Sequence, residues 1–163
     1  IWDADIYARS AVAIGSPILQ SIIKHYGANI LQSDGTLDRR RLGSIVFNDV
    51  DERRWLEAQI HPYVRSCFEI NINNLAPNFT AVLAIPLLFE TGMTDLVTEI
   101  WVVSCDPTTQ LNRIMARDRI SEAEARTRIA SQMSLTDKIA QADVNLDNST
   151  NIADLERQID DRL

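Results

Sequence analysis

The chain has 163 residues, 45% of them hydrophobic and 24% charged, with a formal net charge of −7 at pH 7. That apolar content is enough for one domain with a real core and excludes a disordered chain, while the acidic balance excludes sequence-independent nucleic-acid binding, which needs a basic face. The longest apolar run, AVLAIPLLF at 81–89, falls well short of the roughly 20 residues that span a bilayer, and the charged opening stretch does not read as a secretory h-region.

The expectation is a soluble, cytoplasmic protein without a membrane partner. Cys67 and Cys105 lie far apart with no CxxC or Cys/His spacing, which gives neither a disulfide framework nor a zinc site and suits a reducing compartment.

In chain order, the stub Ile1-Trp2 reads as the end of a strand, and Asp3, Asp5 and Arg9 follow it. Ser16-Pro17 supplies an N-cap and a proline at the first helical position, the stretch ILQSIIKHY carries an apolar stripe, and Gly27 is placed to stop the helix. Ser33-Asp34-Gly35 reads as a turn, with a helix from about Leu37 to Phe47. A long helical region runs from Asp51 towards Leu75, and Pro62 should bend or break it near His61.

The runs Ala81 to Phe89 and Glu99 to Val103 have the continuous apolar character of buried strands, and Asp143 to Leu146 is a weaker strand because Asn145 interrupts it. Asp106-Pro107 caps a helix through Arg117, Ser121 with Glu124 forms a capping box for a helix towards Gln132, and the terminal NIADLERQIDDRL is amphipathic. Strands alternating with helices predict an α/β fold with a parallel sheet.

Ligands of open parallel sheets gather at the carboxyl ends of strands, where this sequence puts Asp3, Asp5, Glu90, Ser104, Asp106 and the run Asp147-Asn148-Ser149. Each has a plain alternative. A lone Asp there is commonly a turn former or helix cap, and Asp5 with Arg9 fits a surface ion pair. Likewise Arg113 with Arg117 fits a solvated helix face, and His61-Pro62 fits a helix break. Between Arg113 and Arg128, five arginines face Asp118, Glu122 and Glu124, a local surplus of two positive charges in an acidic chain.

The ordered series DADIYAR (3–9), Gly15-Ser16-Pro17, SDGTLDRRRL (33–42), WLEAQIHPYV (55–64), IPLLFE (85–90), IWVVSCDPTTQLNRIMARD (100–118) and ADVNLDNS (142–149) resembles the dephospho-coenzyme A kinase family over essentially the whole chain. The resemblance implies a three-layer P-loop kinase-like fold, a parallel sheet flanked by helices. Residues 1–163 would form a single domain, with a helical acceptor-binding segment over about 15–75 and a lid over about 107–132.

It implies ATP as co-substrate, with Mg²⁺, and transfer of the γ-phosphate to the ribose 3′-hydroxyl of dephospho-coenzyme A, the last step of coenzyme A synthesis. Asp5 would act on the acceptor hydroxyl, Arg9 and His61 would bind the acceptor, and Arg113, Arg117 and Asn148 would bind ATP, with Arg117 also catalytic. The family's GxxxxGK[ST] loop is not found, since Gly15, Gly27, Gly35, Gly43 and Gly92 are scattered and none begins that motif.

The expectation is therefore a portion of such a kinase that lacks the central first strand and phosphate loop. No metal ligand is assigned. Another small P-loop kinase, or a non-catalytic module that keeps the acceptor pocket, remain the alternative readings.

Overall fold

The computed structural model describes residues 1–162, which fall into two compact units, Ile1–Pro86 and a second beginning at Leu87. In the first, strand β1 (Trp2–Asp3) runs directly into helix α1 (Ala4–Ala11). Asp3 makes that join: its carboxylate Oδ1 accepts the Asp5 N–H at 2.7 Å, closing one of the open donors of the first turn.

Helix α2 (Pro17–Tyr26) opens and closes as the sequence signals require. Ser16 Oγ accepts the Leu19 N–H at 3.0 Å, and Gly27 ends the helix at φ +83°, a conformation costly for a residue with a Cβ. Helix α3 (Arg39–Asn48) begins at Arg39 rather than about Leu37, because Asp38 takes the cap position and accepts the Arg41 N–H at 2.9 Å.

Helix α4 (Val50–Asn73) runs through Pro62 without interruption, so of the bend or break expected near His61 the break is not formed. A proline removes a single helical bond and strains its own turn, and α4 is fastened on both sides of that point. Before it, Trp55 stacks on His25 (centroids 3.9 Å, 13°) and Glu52 accepts from Tyr26 Oη at 2.8 Å. After it, Phe68 meets Tyr7 edge-on (5.0 Å, 77°) and Asn71 Nδ2 donates to Tyr7 Oη at 2.7 Å.

Strand β2 (Leu83–Ala84) pairs in parallel with β1, Trp2 opposite Leu83 and Asp3 opposite Ala84. The strand expected over 81–89 is thus reduced to its middle. Pro86 has no N–H for a ladder, and the chain then turns: Leu87 C=O accepts from Thr91 N–H (2.9 Å) and Thr91 Oγ1 (2.7 Å), with Gly92 at φ +64°. The core of this unit joins Ala11, Val12, Leu19, Ile22, Ile30, Leu37 and Leu42, and Phe68 is fully buried.

In the second unit, β3 (Trp101–Ser104) and β4 (Val144–Asp147) pair in parallel, Trp101 opposite Val144 through Ser104 opposite Asp147. Asn145 does not disrupt β4, because Val144 and Leu146 point inward while Asn145 and Asp147 face out. Both sheets are parallel, as expected, and each is two-stranded.

Helix α5 (Pro107–Asp118) follows β3 from the Asp106 cap, and α6 (Glu122–Ala130) opens on the reciprocal Ser121–Glu124 capping box. Helix α7 (Leu135–Ala140), which the sequence reading did not assign, precedes β4, and α8 (Ile152–Asp160) follows it. Among the described residues no helix is long and apolar enough to cross a membrane.

Candidate functional site

In the first unit, the Asp3 cap places Asp5 in the opening turn of α1 with its carboxylate exposed. Arg9 lies one helical turn later on the same face, also exposed. The i,i+4 ion pair that the spacing allowed is not formed among the described residues, so both charges face solvent.

His61 is half-buried on α4. Helices α1 and α4 cross antiparallel: Tyr7 meets Phe68 and Asn71, whereas Ser10 Oγ lies 3.3 Å from Tyr63 Oη. That order puts His61 at the Arg9 end of α1, not beside Asp5.

In the second unit, Arg113 and Asn148 are brought together. Arg113 Nη1 donates to the Asn148 carbonyl at 2.6 Å and Nη2 to that of Thr150 at 3.4 Å. The loop after β4 is further pinned by Asn148 N–H to Ser104 C=O (2.7 Å), by Ser149 N–H to Asp147 Oδ1 (2.8 Å), and by Asp106 N–H to Ser149 Oγ (3.0 Å). Hydrogen bonds from Thr109 and from Ser149 hold the Asp106 and Asp147 carboxyls, respectively, below the usual aspartate range. Burial pushes the neighbouring Cys105 thiol up, against the pull of the Arg113 cation.

Arg117 forms a two-point pair with Asp118, Nε to Oδ1 at 2.7 Å and Nη2 to Oδ2 at 3.0 Å. Arg128 from α6 reaches the same Oδ2 at 2.7 Å. Asp118 thus gathers two guanidinium groups, and the hydrogen bonds from Arg117 hold its carboxyl well below the usual range despite partial desolvation. A cavity of about 300 Å³ opens beside this pair, lined by Gln110, Ile114, Arg117, Arg128, Ile129, Ser131 and Gln132.

Sequence reasoning passed over three charged residues here. Asp118 and Arg128 were counted in the basic stretch but given no role, although the Ser121–Glu124 box fixes the start of α6 and so brings Arg128 round towards α5. The third is Lys138 of α7, whose Nζ lies 2.8 Å from Glu90 Oε1, with side chains only 13% and 23% exposed. Glu90 Oε1 also accepts the Met133 N–H at 2.9 Å. Burial raises the Glu90 carboxyl, but the bonds from Lys138 and Met133 outweigh it and the net displacement is downward. Among the described residues no group of three or more His, Cys, Asp or Glu side chains could hold a metal ion.

A family model described as dephospho-CoA kinase matches residues 1–154. The dephospho-CoA kinase of a Synechocystis strain is 55% identical over 159 residues, covering 98% of this chain and 79% of that protein. Its counterpart from Trichormus variabilis is 52% identical over 162 residues, covering 98% and 81%.

Among solved structures, TT1252 from Thermus thermophilus superposes with a TM-score of 0.78 at 31% identity, covering 99% of this chain and 81% of that one. The dephospho-CoA kinase from Campylobacter jejuni gives 0.69 at 28% identity with the same coverage. The capped Asp5–Arg9 turn and the arginine-bearing α5 therefore sit in a chain related to these proteins along nearly its whole length, and the chain belongs to the dephospho-CoA kinase family.

Proposed function

We propose that Asp5, Arg9 and His61 form the acceptor face, and Arg113, Arg117 and Asn148 the ATP face, of a kinase that moves the γ-phosphoryl group of ATP to the ribose 3′-hydroxyl of dephospho-CoA. The observation that carries the acceptor assignment is the exposed Asp5 carboxylate, held at the end of β1 by the Asp3 cap with Arg9 on the same helix face.

In the transfer, the 3′-oxygen attacks the γ-phosphorus, the bond from that phosphorus to the β–γ bridging oxygen breaks, and ADP leaves. The hydroxyl proton passes to the Asp5 carboxylate, which needs to stand within hydrogen-bond reach of it. Arg9 holds the acceptor by a charge-assisted contact, and His61 lines the same side at the far end of α1.

On the ATP face, Arg113 works through the loop it braces. With its guanidinium on the Asn148 and Thr150 carbonyls, it fixes the backbone from which the Asn148 amide reaches the adenine edge. Arg117 is oriented by Asp118 through Nε and Nη2, and its remaining donors stabilise charge on the phosphoryl group in flight.

In this reading residues 15–75 carry the acceptor and residues 107–132 act as the lid of one kinase domain. Mg²⁺ accompanies the ATP phosphates, and no step is assigned to a metal cage of this chain. The two free cysteines suit a cytoplasmic setting.

The test is a panel of acceptors with labelled ATP, comparing the protein with its Asp5→Asn variant. Dephospho-CoA should be the preferred acceptor, and the variant should lose turnover while melting as the parent does. A preference for a nucleoside or nucleotide acceptor would overturn the substrate assignment.

A further inference from the structure

We infer that the groove between α1, α3 and α4 holds the pantetheine arm of dephospho-CoA, with Arg39 at its mouth meeting the diphosphate. This rests on the acceptor reading given above and assigns to that substrate a second binding surface.

The groove has a volume of about 220 Å³ and is walled by Ala8, Val12, Leu42, Val46, Leu56 and Ile60. The one charged group in its lining is Arg39. Adenine fits this chemistry poorly, because a base edge carries donors and acceptors that an aliphatic wall leaves unpaired. The gem-dimethyl group and methylenes of a pantetheine arm suit it, with the amides directed to the polar mouth and to water.

The order of groups along α1 agrees. Ala8 and Val12 stand three and seven residues beyond Asp5, on the same side of the helix, so the groove begins one turn past the carboxylate and reaches about 10 Å along the axis. Arg39 Nη2 lies 3.5 Å from the Arg9 carbonyl, which sets its guanidinium level with Arg9 between those points. With the ribose at Asp5, the Arg9–Arg39 pair stands within reach of the diphosphate, and the arm has the aliphatic walls of the same stretch to lie on.

Arg39 is placed there by the Asp38 cap, which makes it the first residue of α3, and its side chain is in no ion pair among the described residues. Arg41, two positions on, is committed elsewhere, its Nη1 donating to the Asn29 carbonyl at 2.8 Å.

Gly43 gives the inference a sharp probe. It lines the groove from the middle of α3, and a Cβ built on it would meet nothing within 4 Å. A side chain there would enter the groove while improving local helix propensity. Calorimetric titration of the protein and its variants with dephospho-CoA, with 4′-phosphopantetheine and with ADP, which lacks the arm, reads the result.

Gly43→Leu should weaken dephospho-CoA binding at least tenfold and abolish 4′-phosphopantetheine binding, with ADP affinity unchanged, whereas Gly43→Ala should melt higher than the parent and bind nearly as well. Unchanged dephospho-CoA affinity in Gly43→Leu overturns the groove assignment and leaves the acceptor reading standing. A parent protein with no affinity for dephospho-CoA overturns both. Should Gly43→Leu fail to melt cooperatively, Arg39→Ala decides: severalfold weaker binding of 4′-phosphopantetheine, with unphosphorylated pantetheine unaffected, supports the inference, and equal binding of both contradicts it.

Discussion

Two aspartates, two residues apart, do different work at the start of this chain. Asp3 spends its carboxylate on the backbone of α1, so Asp3→Ala should cost about 1 kcal/mol of stability, the usual loss for an N-cap, measurable as a lower melting temperature. Asp5 has an exposed carboxylate, so Asp5→Asn should leave melting unchanged and lower turnover by about 10²- to 10⁴-fold, the range for a lost general base. A matching contrast holds for Arg117 and Asp118. Arg117→Ala should lower turnover roughly 10²- to 10³-fold, while Asp118→Asn, which keeps the guanidinium but loosens its aim, should lower it by about tenfold in steady-state kinetics, as expected for a positioning residue. The DADIYAR series singles out Asp5 and Arg9 because both fall in one local turn, which α1 forms with both residues exposed. The pairing of Asp118 with Arg128 was not readable, since ten residues and a helix reversal separate them.

At the scale of elements, capping chemistry carried most of the correct assignments: Ser16, Asp106, and Ser121 with Glu124 each start the helix they signal. The failures occur where tertiary contacts overrode a local signal. Helix α4 passes through Pro62 because aromatic contacts grip it on either side, and the apolar run 81–89 forms only two residues of strand because Pro86 and the turn bonds at Leu87 and Thr91 take over. Pro62 is exposed, so Pro62→Ala should raise stability by about 1 to 3 kcal/mol by restoring a helical bond without loss of packing; no gain on thermal melting would mean that α4 is interrupted there. The Glu90–Lys138 pair makes a pH prediction. The folded Glu90 carboxyl lies below its ordinary value, so its contribution is fully present above the ordinary glutamate range, about pH 4.3, and is lost as pH falls through the folded value. Acid melting curves of Glu90→Gln should be flatter than those of the parent across that window.

For the whole molecule, an acidic chain has to meet anionic substrates locally rather than through net charge, and five of its 16 Lys and Arg residues lie between Arg113 and Arg128. In the proposed reading the ATP face draws on that stretch, Arg113 to Arg128, and the acceptor face on Arg9 and Arg39 within the first unit. The central claim is that Asp5 serves the transfer of phosphate to a ribose hydroxyl of dephospho-CoA. The most direct measurement is phosphorus NMR of the product formed from ATP and dephospho-CoA by the protein and by its Asp5→Asn variant, with folding of both checked by melting. The account predicts a new phosphomonoester on the 3′-oxygen with the parent and a loss of at least a hundredfold in its rate of formation with the folded variant; a phosphate on another oxygen, or equal rates for the two proteins, would contradict it.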